Sequence, residues 1–151
     1  MPANSDPIFT KNGKFGSALV TGSNPGTDGN TANVIGTNVF LAFTADATNG
    51  SFVQRVRWIA TGSANNIATA ATVGRVWISS TSSGSTSTST AFLISEVVLP
   101  SVTAAASASV APYIDVPIGF PVPAGYSVLV GNANTPNAGT AWRADVIAGD
   151  Y

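Results

Sequence analysis

The side chains that most often carry out catalysis are scarce in this sequence. It contains no histidine and no cysteine, so the commonest general base, the commonest covalent nucleophile and the usual ligands of zinc and copper are missing. Seven carboxylates remain: Asp6, Asp28, Asp46, Glu96, Asp115, Asp145 and Asp150. Two of them facing each other across a cleft could hydrolyse a glycoside, but none lies in a recognisable motif. We therefore expect surface carboxylates, no catalytic residue and no enzymatic activity.

Two short motifs could bind a metal ion or carry a glycan, but both are better explained as turns. Asp28-Gly29-Asn30 resembles a fragment of a calcium loop, but the other oxygen ligands and the closing glutamate are missing. Asn49-Gly50-Ser51 fits a glycosylation sequon and equally a turn that leads into a strand. No glycine-rich phosphate loop follows a strand and opens a helix. We expect no metal site and no cofactor.

Six aromatic side chains allow two interpretations: Trp58, Trp77, Tyr113, Tyr126, Trp142 and Tyr151. They could form a stacking platform for sugars, as in β-sandwich lectins. Most of them lie in predicted strands, which favours packing in the core or at an interface, because aromatic rings bury large areas and dominate both.

The charge content indicates which partners to expect. Only 9% of the residues are charged and the net charge is -1, so no basic stripe is available for nucleic acid or an anionic membrane. Weak repulsion between copies favours self-association. The amino-terminal residues lack the pattern of a secretory signal, and no apolar run approaches the ~18 residues of a membrane span. The chain is expected to stay in the cytoplasm unless it leaves within an assembly or by lysis.

Short apolar runs separated by turn residues predict eight strands. The predicted strands are 17–21, 38–45, 51–60, 73–80, 91–99, 112–118, 126–132 and 141–148. Eight strands with no capped helical period predict one all-β sandwich domain over residues 15–151. The Ser/Thr tract of residues 79–90 is predicted to be a flexible loop, and residues 101–111 a long loop or hairpin.

Alternation along two strands predicts which faces are buried. In the strand 51–60, Phe52, Val56, Trp58 and Ala60 are expected to face the core, and Val53, Arg55, Arg57 and Ile59 the other side. Two arginines beside two aliphatic residues indicate a subunit interface, and Arg55 and Arg57 are its predicted contacts. The strand 91–99 is apolar on both faces, which predicts a central strand covered on both sides.

Residues 1–14 are predicted to form an extended arm. They contain two prolines and an isolated Ile8-Phe9 pair, which cannot make a helix. Such an arm either clamps a neighbouring molecule, with Pro7, Ile8 and Phe9 as contacts, or forms a strand that folds back onto its own sheet.

Four segments resemble a family of small virion proteins of tailed bacteriophages, the head-fibre-like capsid decoration or cement proteins. The segments are Asn4-Ser5-Asp6-Pro7-Ile8-Phe9, Phe52-Val53-Gln54-Arg55-Val56-Arg57-Trp58-Ile59-Ala60-Thr61-Gly62, Gly74-Arg75-Val76-Trp77-Ile78 and Val122-Pro123-Ala124-Gly125-Tyr126-Ser127-Val128-Leu129-Val130-Gly131. They follow the family's order over most of the chain. The Ser/Thr tract and the alanine-rich stretch after Pro100 depart from it.

The resemblance implies a jelly-roll-like antiparallel β-sandwich that assembles as a trimer and decorates or cements a capsid. The expected partners are then the major capsid protein and other copies of the chain, and the expected location is the capsid surface of the virion. A tail-associated module that binds a receptor or glycan is the alternative. Copy number separates the two, since shell proteins are present in hundreds and tail proteins in handfuls.

Overall fold

The computed structural model describes residues 11–24, 26, 33–62, 67–103 and 112–151. Within these ranges the chain has no helix and forms eight strands: β1 (Asn12–Val20), β2 (Phe40–Thr44), β3 (Ser51–Gly62), β4 (Thr72–Ser79), β5 (Ala91–Leu99), β6 (Tyr113–Val122), β7 (Ser127–Asn132) and β8 (Thr140–Asp150). Each predicted strand is present. The largest difference in a starting point is at β1, which begins at Asn12 rather than at Ser17.

The strands form two antiparallel sheets, with the orders β1-β8-β3-β6 and β2-β7-β4-β5. The first strand therefore pairs with the last, the second with the seventh, the third with the sixth and the fourth with the fifth. A long antiparallel hairpin that folds over gives this order, because its successive strand pairs then lie alternately in the two sheets. The predicted jelly-roll-like antiparallel β-sandwich of eight strands is confirmed.

The main core lies between the two sheets. Val56, Trp58 and Trp142 come from the first sheet, and Val76 and Val130 from the second; all five are at most 1% exposed. Close packing of this kind requires small residues at particular points. A side chain at Gly74 would collide with the ring of Trp58 and with Leu99, so glycine lets the large indole lie against the opposite sheet.

The prediction of which β3 side chains face the core is correct from Arg55 onward and wrong for Phe52 and Val53. Val53 is completely buried and Phe52 is half-buried, which is the reverse of the expectation. The cause is a β-bulge between Val53 and Arg55, where β3 has one residue, Gln54, more than the facing stretch of β8. An extra residue shifts the side-chain alternation by one. Odd-numbered residues of β3 therefore face the core before the bulge, and even-numbered residues face it after the bulge.

The prediction that the strand 91–99 is central is wrong. β5 pairs with β4 alone and forms an edge of the second sheet. Phe92 and Val98 are 49% and 73% exposed. A β-bulge opposite Val76 and Trp77 places Phe92 on the inner side of the sheet and Val98 on the outer side, so each face of β5 is uncovered at one end.

The turn between β2 and β3 has the chemistry that the sequence predicts. The Asp46 carboxylate accepts hydrogen bonds from the backbone N–H groups of Thr48 and Asn49, at 2.9 and 2.8 Å. Gly50 adopts a φ of 76°, which glycine does without strain. The turn delivers Ser51 into the interior, where its hydroxyl donates to Asp150 at 2.6 Å and accepts from the Asp46 N–H at 3.0 Å.

Candidate protein-binding face

The two sheets differ in what covers their outer sides. On the second sheet, Trp77 and Leu129 point outward and are buried in a cluster with Val39 and Ala91. The segment with Ile35 and Val39 packs on this cluster. It is held to the Ser/Thr tract, since the Thr86 N–H donates to the Asn33 carbonyl at 2.8 Å. The Ser/Thr tract is a loop, and its composition did not indicate its backbone hydrogen bonds to Asn33 and Ile35.

The outer side of the β1-β8-β3-β6 sheet has no such cover among the described residues. We call this surface the open face. Strand register arranges its side chains in three rows, which are Leu19–Arg143–Ile59–Tyr113, Ser17–Asp145–Arg57–Asp115 and Phe15–Ile147–Arg55–Pro117. The two outer rows are mainly apolar, and the middle row is polar and charged.

The side chains of the middle row form two hydrogen-bonded groups. Arg57 binds both carboxylate oxygens of Asp115, at 2.7 and 2.8 Å. The Ser17 hydroxyl donates to Asp145 at 2.7 Å, and Arg143 forms an ion pair with the same carboxylate at 3.0 Å. Four strands thus contribute to one row, which holds these groups in fixed positions across the sheet.

The Arg57–Asp115 pair changes the acidity of both groups. The hydrogen bonds from Arg57 lower the pKa of Asp115 below its ordinary value of 3.8 and raise the pKa of Arg57. The guanidinium also lies over the ring of Tyr113, 4.4 Å from the ring centre. Arg57 is therefore held flat against the sheet, in the geometry of a cation–π contact.

Arg55 differs from its neighbours because it has no carboxylate partner among the described residues. Its side chain is half-buried, and its Nε atom is shielded from solvent without a hydrogen-bond acceptor. A buried donor without a partner has a free-energy cost. The predicted interface residues Arg55 and Arg57 do lie on one outward face, but of the two only Arg57 has a carboxylate partner among the described residues.

Large apolar side chains flank the charged row. Phe15, Tyr113 and Leu19 are 66%, 58% and 49% exposed, while Ile59 and Ile147 are half-buried. An open groove of about 340 Å³ continues the face beyond Leu19, between Thr21, Thr61 and Ala141. Single exposed apolar residues are normal, but a grouped set around a fixed charge network is typical of a binding surface.

The other sites considered from the sequence do not lie on the open face. Pro7, Ile8 and Phe9, the predicted arm contacts, lie outside the described residues, as do Asp28-Gly29-Asn30, where a turn was predicted. The three tryptophans are all buried, so the structure places them in packing rather than on a surface platform for sugars. Within the described ranges, no group of three or more acidic, histidine or cysteine side chains could hold a metal ion.

Sequence reasoning identified the arginines but not most of their companions. Phe15, Tyr113 and Asp145 join them through pairing with β1, β6 and β8. No local signal in the sequence marks these residues, because the pairing joins positions far apart in the chain.

In the part of the chain that the structure describes, no helix is long and apolar enough to cross a membrane. No protein-family model matches the sequence, and searches of curated proteins and of solved structures found no similar protein.

Proposed function

We propose that this chain is a structural virion protein that decorates or cements a bacteriophage capsid. It does so by binding capsid subunits and other copies of itself, with a trimer as the expected assembly. The observation that carries the proposal is the open face, where two mainly apolar rows flank a hydrogen-bonded charged row on a sheet without cover among the described residues. A surface built in this way suits a flat contact with another folded protein.

Two further features support this proposal over a catalytic one. The carboxylates of Asp115, Asp145, Asp150 and Glu96 are each paired with a cation, as expected of structural groups. The four segments that resemble capsid decoration proteins point to a phage particle as the place of action. Capsid and lectin domains are among the proteins that use the jelly roll, so the fold is compatible with the proposal and does not select it.

Imaging of phage particles whose genome encodes the chain tests the proposal directly. We expect its density on the shell, in hundreds of copies, contacting the major capsid protein. A handful of copies at the tail would instead support the receptor- or glycan-binding alternative. Absence from the particle would overturn both.

The predicted arm has its own test. Deleting residues 1–10 leaves β1 intact, because that strand begins at Asn12. If Pro7, Ile8 and Phe9 clamp a neighbouring molecule, the shortened chain will fold normally and occupy particles less than the full chain does. Equal occupancy would remove the arm from the proposal and leave the open face in it.

A further inference from the structure

The two sides of the sandwich differ in how closely the sheets approach each other. On one side, the edge strands β1 and β2 lie so close that a side chain at Gly16 would collide with the Ala42 carbonyl. On the opposite side, the edge strands are β6 of the first sheet and β5 of the second. Each of these two strands has an inward-pointing phenylalanine that the described residues leave exposed.

The direction of both phenylalanines follows from strand pairing. Phe92 of β5 is paired with Ile78, and Phe120 of β6 is paired with Val53. Paired residues of antiparallel strands share a face of the sheet, and Ile78 and Val53 both belong to the main core. Both phenylalanines therefore point between the sheets, although they are 49% and 44% exposed.

The two phenylalanines also lie at the same end of the sandwich. A short turn links Val122, at the end of β6, to Ser127, at the start of β7. Strand pairing places Ser127 in one row with Ser79 and Ala91. Val122 and Ala91 therefore mark the same end, and each phenylalanine lies within two residues of it.

The two rings form the lips of an opening into the core, because packed sheets are about 10 Å apart. Ile94 and Ile118, further from that end, are half-buried and pack against the main core. The backbone edge of β5 pairs with no other described strand on this side, and an open pocket of about 240 Å³ lies along it at residues 93–96. We call this opening the β5–β6 gap and define it by Phe92, Ile94, Ile118 and Phe120.

The sequence contains an apolar pair that suits this gap. Ile8 and Phe9 lie outside the described residues, and Phe9 is three positions before the first residue of β1. In an extended segment, successive side chains point to opposite sides. One member of the pair would therefore contact the β5 lip while the other contacts the β6 lip.

The gap of the same molecule is too far away for this pair. Strand pairing places Asn12 in one row with Val122, across β8 and β3, and three strand spacings amount to about 14 Å. Phe120 lies two residues further along β6, so its backbone is about 16 Å from Asn12. The backbones of Phe9 and Ile8 reach at most about 11 and 14 Å from Asn12. An insertion between the lips must therefore come from another copy.

We propose that the Ile8-Phe9 pair of a second copy inserts into the β5–β6 gap, between Phe92 and Phe120. This proposal rests on the proposed function, because it names the surface of a neighbouring copy that the arm clamps. The inserted segment also lies beside the backbone edge of β5, where it can add as a further strand. Each copy gives one arm and receives one, so the copies form a ring when the rotation between them closes, as in the expected trimer.

A mixing experiment tests the insertion. Phe9→Lys alters the arm and Phe92→Lys alters the gap, and circular dichroism checks that both variants fold. In sedimentation velocity, we expect an oligomer for the unaltered chain and monomers for each variant alone. A mixture of the two variants should give a 1:1 dimer, because one intact arm then meets one intact gap.

Val98→Lys is the matched control for the gap variant. Val98 lies on the same strand, points to the outer side of the sheet and is 73% exposed, so this variant should assemble like the unaltered chain. If Phe92→Lys also assembles like the unaltered chain, the gap does not receive the arm. If the mixture of folded variants stays monomeric, the insertion between copies is overturned.

A cross-linking experiment decides the matter even if Phe92→Lys fails to fold. The chain contains no cysteine, so introduced cysteines form the only possible disulfides. Ile8→Cys mixed with Phe120→Cys should give a disulfide between two copies, and Ile8→Cys mixed with Val98→Cys should not. One chain that carries both Ile8→Cys and Phe120→Cys should stay reduced when it is diluted to a monomer. An internal disulfide there would place the arm in its own gap and overturn the proposal.

The insertion and the capsid role can fail separately. A monomeric unaltered chain that still occupies particles would overturn the insertion and leave the capsid proposal standing. An oligomer that forms the cross-link but is absent from particles would do the reverse.

Discussion

At the scale of single residues, the charged row of the open face adds little to folding, and under the proposed function its role is recognition. Arg57 and Asp115 are each about one-third exposed in their side chains, and ion pairs at such exposure add little to stability. Their bidentate geometry does fix the direction of both groups. A partner bound as proposed would therefore meet charged groups of fixed direction between two mainly apolar rows.

The titration of Asp115 reports on this geometry. Because Arg57 lowers the pKa of Asp115 below 3.8, the ion pair persists above that pH and is lost as the pH falls through the lowered pKa. Carboxyl-carbon NMR should show a midpoint below 3.8, and Arg57→Gln should return it towards 3.8. Asp46 is the internal control, because backbone N–H groups lower its pKa and the substitution should leave its midpoint unchanged.

The buried hydroxyl of Ser51 joins three parts of the fold. It donates to Asp150 at the end of β8 and accepts from the N–H of Asp46 in the preceding turn. Ser51→Ala removes both bonds, and we expect the free energy of unfolding to fall by about 1–3 kcal/mol in urea denaturation. Ser17→Ala, which removes a hydroxyl–carboxylate bond at the exposed edge strand, should cost less. The opposite order would contradict the importance of burial here.

At the scale of elements, two glycines of β1 make a matched pair. A side chain at Gly16 would meet the carbonyl oxygen of Ala42 and the side chain of Phe43, whereas one at Gly13 would meet nothing within 4 Å. Gly16→Ala should therefore push β1 away from β2 and destabilise the fold by about 1–3 kcal/mol.

Gly13→Ala is the control for this substitution, and its effect should stay within about 0.5 kcal/mol. Thermal unfolding of the two variants measures the difference. Equal stability would show that β1 can move at no cost.

The strands could be predicted because their signals are local. Glycine, proline and asparagine turns separate the apolar runs, and the β5 bounds of Ala91 and Leu99 were predicted correctly. The central position assigned to β5 was wrong, because whether a strand lies at an edge depends on distant pairing. The burial of Phe52 and Val53 was predicted the wrong way round for a similar reason. The bulge at Gln54 is defined by the pairing of β3 with β8, which lies far away in the sequence. Of the candidate site, the outward arginines were predictable and their partners on other strands were not.

At the scale of the whole molecule, the topology predicts slow and cooperative folding. Pairing of the first strand with the last gives contacts between residues such as Ser17 and Asp145, and distant contacts of this kind slow folding to milliseconds or seconds. Fluorescence of the three buried tryptophans and far-ultraviolet circular dichroism should follow one shared unfolding transition. Separate transitions for the two signals would show that unfolding is not a single cooperative step.

The position of β8 between β1 and β3 also has a consequence during protein synthesis. A growing chain makes β1 and β3 early, but the strand that lies between them is completed only at Asp150. At roughly 5–20 residues per second, translation needs about 4–18 s to pass from the end of β3 at Gly62 to that point. The ribosome therefore holds a chain with a gap in its first sheet, and the open face comes into existence only after β8 has left the exit tunnel.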